Sequence, residues 1–95
     1  MTASPTLPTI HLNGTSAESL RDEYYAVRMA IKGAMNALEN ATLNARDFYP
    51  QDHENWVRAQ KERADVFRLL RQVSDFAEAW EEVAQDYIDL KNIHF

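Results

Sequence analysis

Ninety-five residues, 45% of them apolar and 11% aromatic, make one globular domain with a thin core; a chain this short hides only roughly 60–65% of its unfolded surface. The absence of cysteine excludes disulfides, thiolate catalysis and cysteine-ligated zinc. A net charge of −5, from 15 acidic and 10 basic side chains, argues against general nucleic-acid binding, which needs a basic footprint, and suits either a basic partner or plain solubility.

The chain opens MTASPTLPT, without the basic start and apolar run of a signal peptide. No apolar stretch approaches the ~18 residues that cross a bilayer, so a soluble, cytoplasmic protein without membrane partners is expected. Residues 1–14 are expected to form an extended arm. Asn13-Gly14 is a turn pair, Thr15 is placed to cap a helix, and Glu18 follows three residues later as in a capping box. Leu20, Tyr24, Val27, Ile31, Ala34, Leu38 and Ala41 then recur at steps of four and three, the seam of a helix over 15–43. Gly33 sits mid-helix at a cost of about 1 kcal/mol relative to alanine, which a close helix approach would explain.

Residues 44–51, NARDFYPQ, join this helix to a second over 52–92, with Pro50 disfavouring helix at Tyr49 and Asp52 as the new cap. The second seam reads Trp56, Ala59, Arg63, Val66, Leu70, Val73, Ala77, Trp80, Ala84 and Tyr87, widened by Phe67, Phe76, Val83, Ile88 and Leu90. Ser74-Asp75 with Glu78 is a possible internal cap, but with no Gly or Pro after Pro50 a continuous rod is favoured. Arg63 interrupts the seam and is expected to snorkel or pair with an acid such as Glu39. The fold class is therefore all-α: an antiparallel hairpin of two long helices (15–95 as one domain) with an N-terminal arm. A simple register sets Leu38 near Trp56 and Leu20 near Ser74 or Asp75. The second helix then outruns the first by roughly 18 Å, and Leu7, Ile10 and Leu12 of the arm are expected to cover Trp80, Val83, Ala84 and Tyr87. Because a two-helix hairpin buries only one stripe of each helix, dimerisation to a four-helix bundle is expected.

Candidate chemistry lies in three places. Arg21, Tyr25, Arg28 and Lys32 fall on one face of the first helix, a basic-aromatic stripe able to hold a phosphate or a base, or simply to pair with acids. Asp75, Glu78, Glu82, Asp86 and Asp89 line one face of the second. Acids so near a helix C-terminus oppose its dipole, and a basic partner surface, from another copy or a foreign protein, would compensate. The polar sets Arg46, Asp47, Tyr49 and Gln51 in the loop and His11, Asn13 and Thr15 in the arm lie at opposite ends of one hairpin, but an antiparallel dimer would bring the arm of one chain to the loop of the other. That arrangement suits a small polar ligand; alternatively Phe48 or Tyr49 simply plugs the bundle end, while Arg46 and Asp47 pair with helix ends or each other. His11, His53 and His94 have no metal spacing, no glycine loop cradles phosphate, and no nucleophile has a base, so neither enzyme activity, metal nor cofactor is expected.

I-H-L-N-G-T-S, followed after a helix by N-x-R-D-[FY]-Y-P-Q and a second long helix, resembles short uncharacterised helical proteins of phages and prophages, over Thr9 to about Tyr87. Phe48 stands where tyrosine is expected. The resemblance implies a viral accessory protein in the host cell cytoplasm, and it carries no active site. Size and source suggest anti-defence roles: sequestering a small polar or nucleotide-like ligand in an oligomer, inhibiting a host defence protein through the acidic stripe, or acting as a structural or assembly adaptor.

Overall fold

In the computed structural model, which describes residues 4–93, the chain is all-α: helix α1 (Ala17–Asn40), a single 3-10 turn (Ala45–Phe48) and helix α2 (His53–Lys91). The two helices pack against each other as an antiparallel hairpin. No strand occurs among the described residues. The first three residues of the expected arm, and His94 and Phe95, lie outside them.

Local chemistry sets the helix ends. Ser16, not Thr15, caps α1: its Oγ accepts from the Ser19 amide at 3.1 Å. That shifts the helix start by one residue and puts Glu18 in the second helical position rather than in a capping box. α1 ends at Asn40, before the Thr42 to Asn44 limit expected, and its last turn holds no basic residue. Asp52 precedes α2 without a side-chain cap bond. α2 continues unbroken through Ser74, which stays in the ladder because neither proline nor glycine interrupts it. Tyr49 holds φ −57° and ψ −35°, helical values despite Pro50. Its amide donates to the Arg46 carbonyl at 3.3 Å, which offsets the crowding by the proline ring.

The register differs from the simple one by about three turns of α2, and Arg63 is the reason. Its guanidinium does not pair with the Glu39 carboxylate. It donates instead to the backbone carbonyls of Leu38 (2.6 Å), Glu39 (3.0 Å) and Ala41 (2.9 Å), and so caps the C-terminus of α1. The Leu38 carbonyl also accepts from the Ala41 amide at 3.1 Å, those of Glu39 and Ala41 lack a helical partner, and all three lie at the negative end of the dipole. α1 therefore stops about three turns along α2, and the chain runs back over α2's exposed start, where Phe48 stacks on Trp56. Leu20 then faces Ala84 rather than Ser74, Tyr24 stacks on Trp80 at 4.9 Å, and Glu18 reaches Lys91 at 3.6 Å. Trp80 and the residues after it thus have a helical partner. Of the arm, only Ile10 joins the cluster of Ala17, Ala84, Ile88 and Leu20; Leu12 is 98% exposed and covers nothing.

The seams are correspondingly rotated. Met35 replaces Ala34 on α1, and Phe67 and Ile88 replace Val66 and Tyr87 on α2, while Val27, Ala41 and Val73 face outward. Inward positions recur every eleven residues (17/28, 20/31, 24/35; 59/70/81, 77/88), the repeat of nearly straight helices, whereas a strict heptad drifts ~20° per repeat off such a seam. The core is thin. Among the described residues only Ala17, Ala77, Ala84 and Ile88 are buried, and no large side chain is fully enclosed. The Trp80 indole N–H is buried without an acceptor, a cost of about 1–3 kcal/mol.

Gly33 permits no close approach: a methyl group there would meet nothing within 4 Å. Gly33→Ala is expected to stabilise the fold by about 0.5–1 kcal/mol, raising the thermal midpoint by a few degrees. Arg63→Met, which removes the guanidinium donor from three carbonyls, is expected to cost about 2 kcal/mol in urea denaturation. Arg63→Lys should recover less than half, since one ammonium cannot span three acceptors.

Candidate functional site

The loop end of the hairpin holds a concavity lined by aromatic rings. Asn44 starts the 3-10 turn, its Oδ1 accepting from the Arg46 amide at 3.0 Å. The backbone then tightens through Asp47 N–H to Asn44 O (3.1 Å) and Gln51 N–H to Phe48 O (2.9 Å). This coil tips Phe48 onto Trp56, with centroids 5.6 Å apart and planes at 50°. The stacked rings floor a cavity of about 300 Å³, completed by Ala45, Tyr49, Gln51 and His53. Phe48 is therefore the plug, and Tyr49, 74% exposed, stands at the rim. Gln51 is oriented by Asn55, whose Nδ2 donates to its Oε1 at 3.0 Å. Arg46 and Asp47 do not line the cavity and do not pair with each other or a helix end. Among the described residues no side-chain hydrogen bond or ion pair engages Arg46, Asp47 or Tyr49. His53 and Trp56 were not singled out as ligand residues from sequence. Their i, i+3 spacing at the start of α2, next to the aromatic loop, was the available signal.

The arm set lies at the far end. The Gly14 amide donates to the His11 carbonyl at 3.1 Å, and the His11 ring folds so closely over Gly14 that a Cβ there would sit 2.9 Å from its Nε2. Asn13 belongs to this turn, and Thr15 borders a shallow groove with Leu20, Glu23, Tyr24 and Val27. Arm and loop thus lie at opposite ends of one chain.

The basic stripe is half consumed by the fold. Arg28 makes a two-pronged bond to Glu81, Nε to Oε2 at 2.7 Å and Nη2 to Oε1 at 3.0 Å, and lies 5.5 Å from the Tyr25 ring centroid. The carboxylate raises the guanidinium's already high pKa. Arg21 pairs with its neighbour Asp22 at 3.0 Å. Lys32 borders a basin of about 450 Å³ with Glu39, Arg63, Phe67 and Arg71. The acidic stripe is intact: Asp75, Glu78, Glu82, Asp86 and Asp89 are all exposed. Among the described residues none of the five forms an ion pair, and only Asp89 is engaged, accepting from Gln85 at 2.9 Å.

No family model matches the chain, and no curated protein or solved structure matches it. Among the described residues, no group of three or more His, Asp or Glu side chains is placed to hold a metal ion, and no helix is long and apolar enough to cross a membrane.

At the arm end, Glu18 is held below the usual carboxylate range, first by its own backbone amide at the α1 N-terminus and then by the Lys91 ammonium. A carboxyl depressed on folding stabilises the fold above its unfolded pKa and loses that contribution as pH falls through the folded value. Glu18→Gln is therefore expected to flatten the acid limb of the stability profile below about pH 5. An NMR titration should show Glu18 protonating at lower pH than ordinary glutamates.

Proposed function

We propose that this chain is a non-enzymatic phage accessory protein that works by binding, taking up a small polar, nucleotide-like ligand in an oligomer and so acting against a host defence. The reading rests on one observation: the loop over 44–51 spends Phe48 on plugging the hairpin but leaves Arg46, Asp47 and Tyr49 unengaged, beside a cavity floored by aromatic rings. A loop that only reverses the chain has no use for that set. An exposed tyrosine ring can stack on a planar base, an arginine suits a phosphate, and aspartate and glutamine accept and donate to polar edges. A cavity of about 300 Å³ is at the small end for ligand sites, so the remaining walls come from another copy. The phage assignment and the anti-defence role rest on the resemblance carried by the arm and loop motifs.

A second reading is favoured by a different observation. Five exposed carboxylates lie over residues 75–89, the last of them, Asp89, opposing the α2 dipole in its final turn, with no base among the described residues paired to them. A protein with a basic surface would relieve that strain, which suits an inhibitor of a defence protein or an assembly adaptor.

Native mass spectrometry of the gently purified protein separates the readings. An added small mass, released by denaturation and lost in Tyr49→Ala, is the expected result; that variant should keep its stability within about 0.5 kcal/mol. A bare chain whose partner binding is abolished by charge reversal at Glu78, Glu82 and Asp86 would replace the first reading with the second.

A further inference from the structure

We propose that the outer face of α2 is the homodimer interface, occupied by α2 of a second copy running antiparallel. The inference rests on the reading of the chain as an oligomeric binding protein and names the surface, the partner and its direction.

The two sides of the hairpin are unlike. Lys32 and Arg71 share a basin on one flank, with Arg28 and Glu81 joined nearby. At 100° per residue most exposed apolar residues of α2 (Val66, Leu69, Val73, Phe76, Tyr87 and Leu90) fall on the other flank, with the half-buried Trp80 and Val83 among them. These residues recur at strict steps of three and four over 25 residues. This heptad stripe borders the eleven-residue seam that faces α1, meets it at Trp80, which stacks on Tyr24, and has the period of a left-handed coiled coil. Leu69 is 59% exposed and Phe76 46%. Such a stripe on a solitary helix face would be an aggregation hazard.

Area supports a partner of this size. The chain exposes 7388 Å², against about 5,600 Å² for a compact monomer of 11.0 kDa. The excess of roughly 1,800 Å² per chain is in the range that obligate homodimers bury. The radius of gyration, 19.5 Å, likewise exceeds the ~12 Å of a compact domain of this length.

Charge sets the direction. Residues 72–91 hold six acids and one base, net −5, whereas residues 52–71 hold five bases and four acids, net +1. A parallel pair would lay −5 beside −5; an antiparallel pair lays each −5 half along a +1 half. A register placing Val73 against Phe76 of the second copy also sets Leu69 against Trp80 and Val66 against Val83. It sets Tyr87 level with Glu62 of the second copy, to which the phenol hydroxyl can donate. The antiparallel arrangement also turns the arm end of one chain toward the loop end of the other.

The chain has no cysteine, so engineered ones report geometry cleanly. In sedimentation, the intact protein is expected at twice the chain mass or an even multiple of it. Val73→Lys should weaken association at least 100-fold, giving monomer or unfolded chain, while Asn36→Lys on the charged flank should leave it unchanged. Monomeric wild type, or equal behaviour of the two lysine variants, overturns the surface. Disulfides between mixed Val66→Cys and Val83→Cys chains are expected. Val66→Cys alone should not cross-link, because its two copies lie 17 residues or about 25 Å apart. Efficient self-cross-linking of Val66→Cys overturns the antiparallel direction. An oligomer that retains no small molecule would fell the ligand reading and leave this one standing.

Discussion

One guanidinium decides how the two helices meet. α1 ends without a basic residue in its last turn and without a glycine to close its carbonyls, so its C-terminus needs donors from elsewhere. Arg63 supplies them to three carbonyls at once, and because it sits ten residues into α2 it fixes where along α2 the first helix must stop. The Tyr24–Trp80 stack, the Arg28–Glu81 pair and the Glu18–Lys91 contact all follow from that register. The same offset leaves the first turns of α2 bare. The loop folds back to cover them, which is why Phe48 finds Trp56 and why a cavity forms there at all.

The hairpin so fixed is two-sided. One flank is polar, and there Arg28 and Glu81 spend their charges on each other, and Arg21 on Asp22. The other flank is apolar and bare. Among the described residues the buried set is three alanines and one isoleucine, a thin core for a chain of this length. The stability of the chain is therefore tied to what covers that flank, and the proposed second copy answers the shortage and the heptad stripe together. It also bears on function, since an antiparallel partner sets an arm with His11, Asn13 and Thr15 toward a loop with unengaged Arg46, Asp47 and Tyr49. One chain keeps these groups at opposite ends.

The candidate site was legible in the sequence as to place more than as to membership. NARDFYPQ is chemically too rich for a turn, and the loop does carry the cavity. Its lining, however, draws on His53 and Trp56, which the sequence assigns to a helix, and omits Arg46 and Asp47. The basic stripe illustrates the opposite error. Arg21, Tyr25, Arg28 and Lys32 share a face as their spacing requires, yet which of them remain available depends on acids more than fifty residues away.

The sequence by itself determined the helices, their approximate limits, the break between them and the all-α hairpin, because these follow from periodicity, turn residues and the absence of breakers, all local along the chain. Only the tertiary structure decided the register, and with it which apolar residues face inward. Both a heptad and an eleven-residue repeat can be read along α2, and periodicity alone does not say which faces α1. That choice falls to a single long-range contact, a side chain donating to the end of another helix, and no local pattern in either segment announces it.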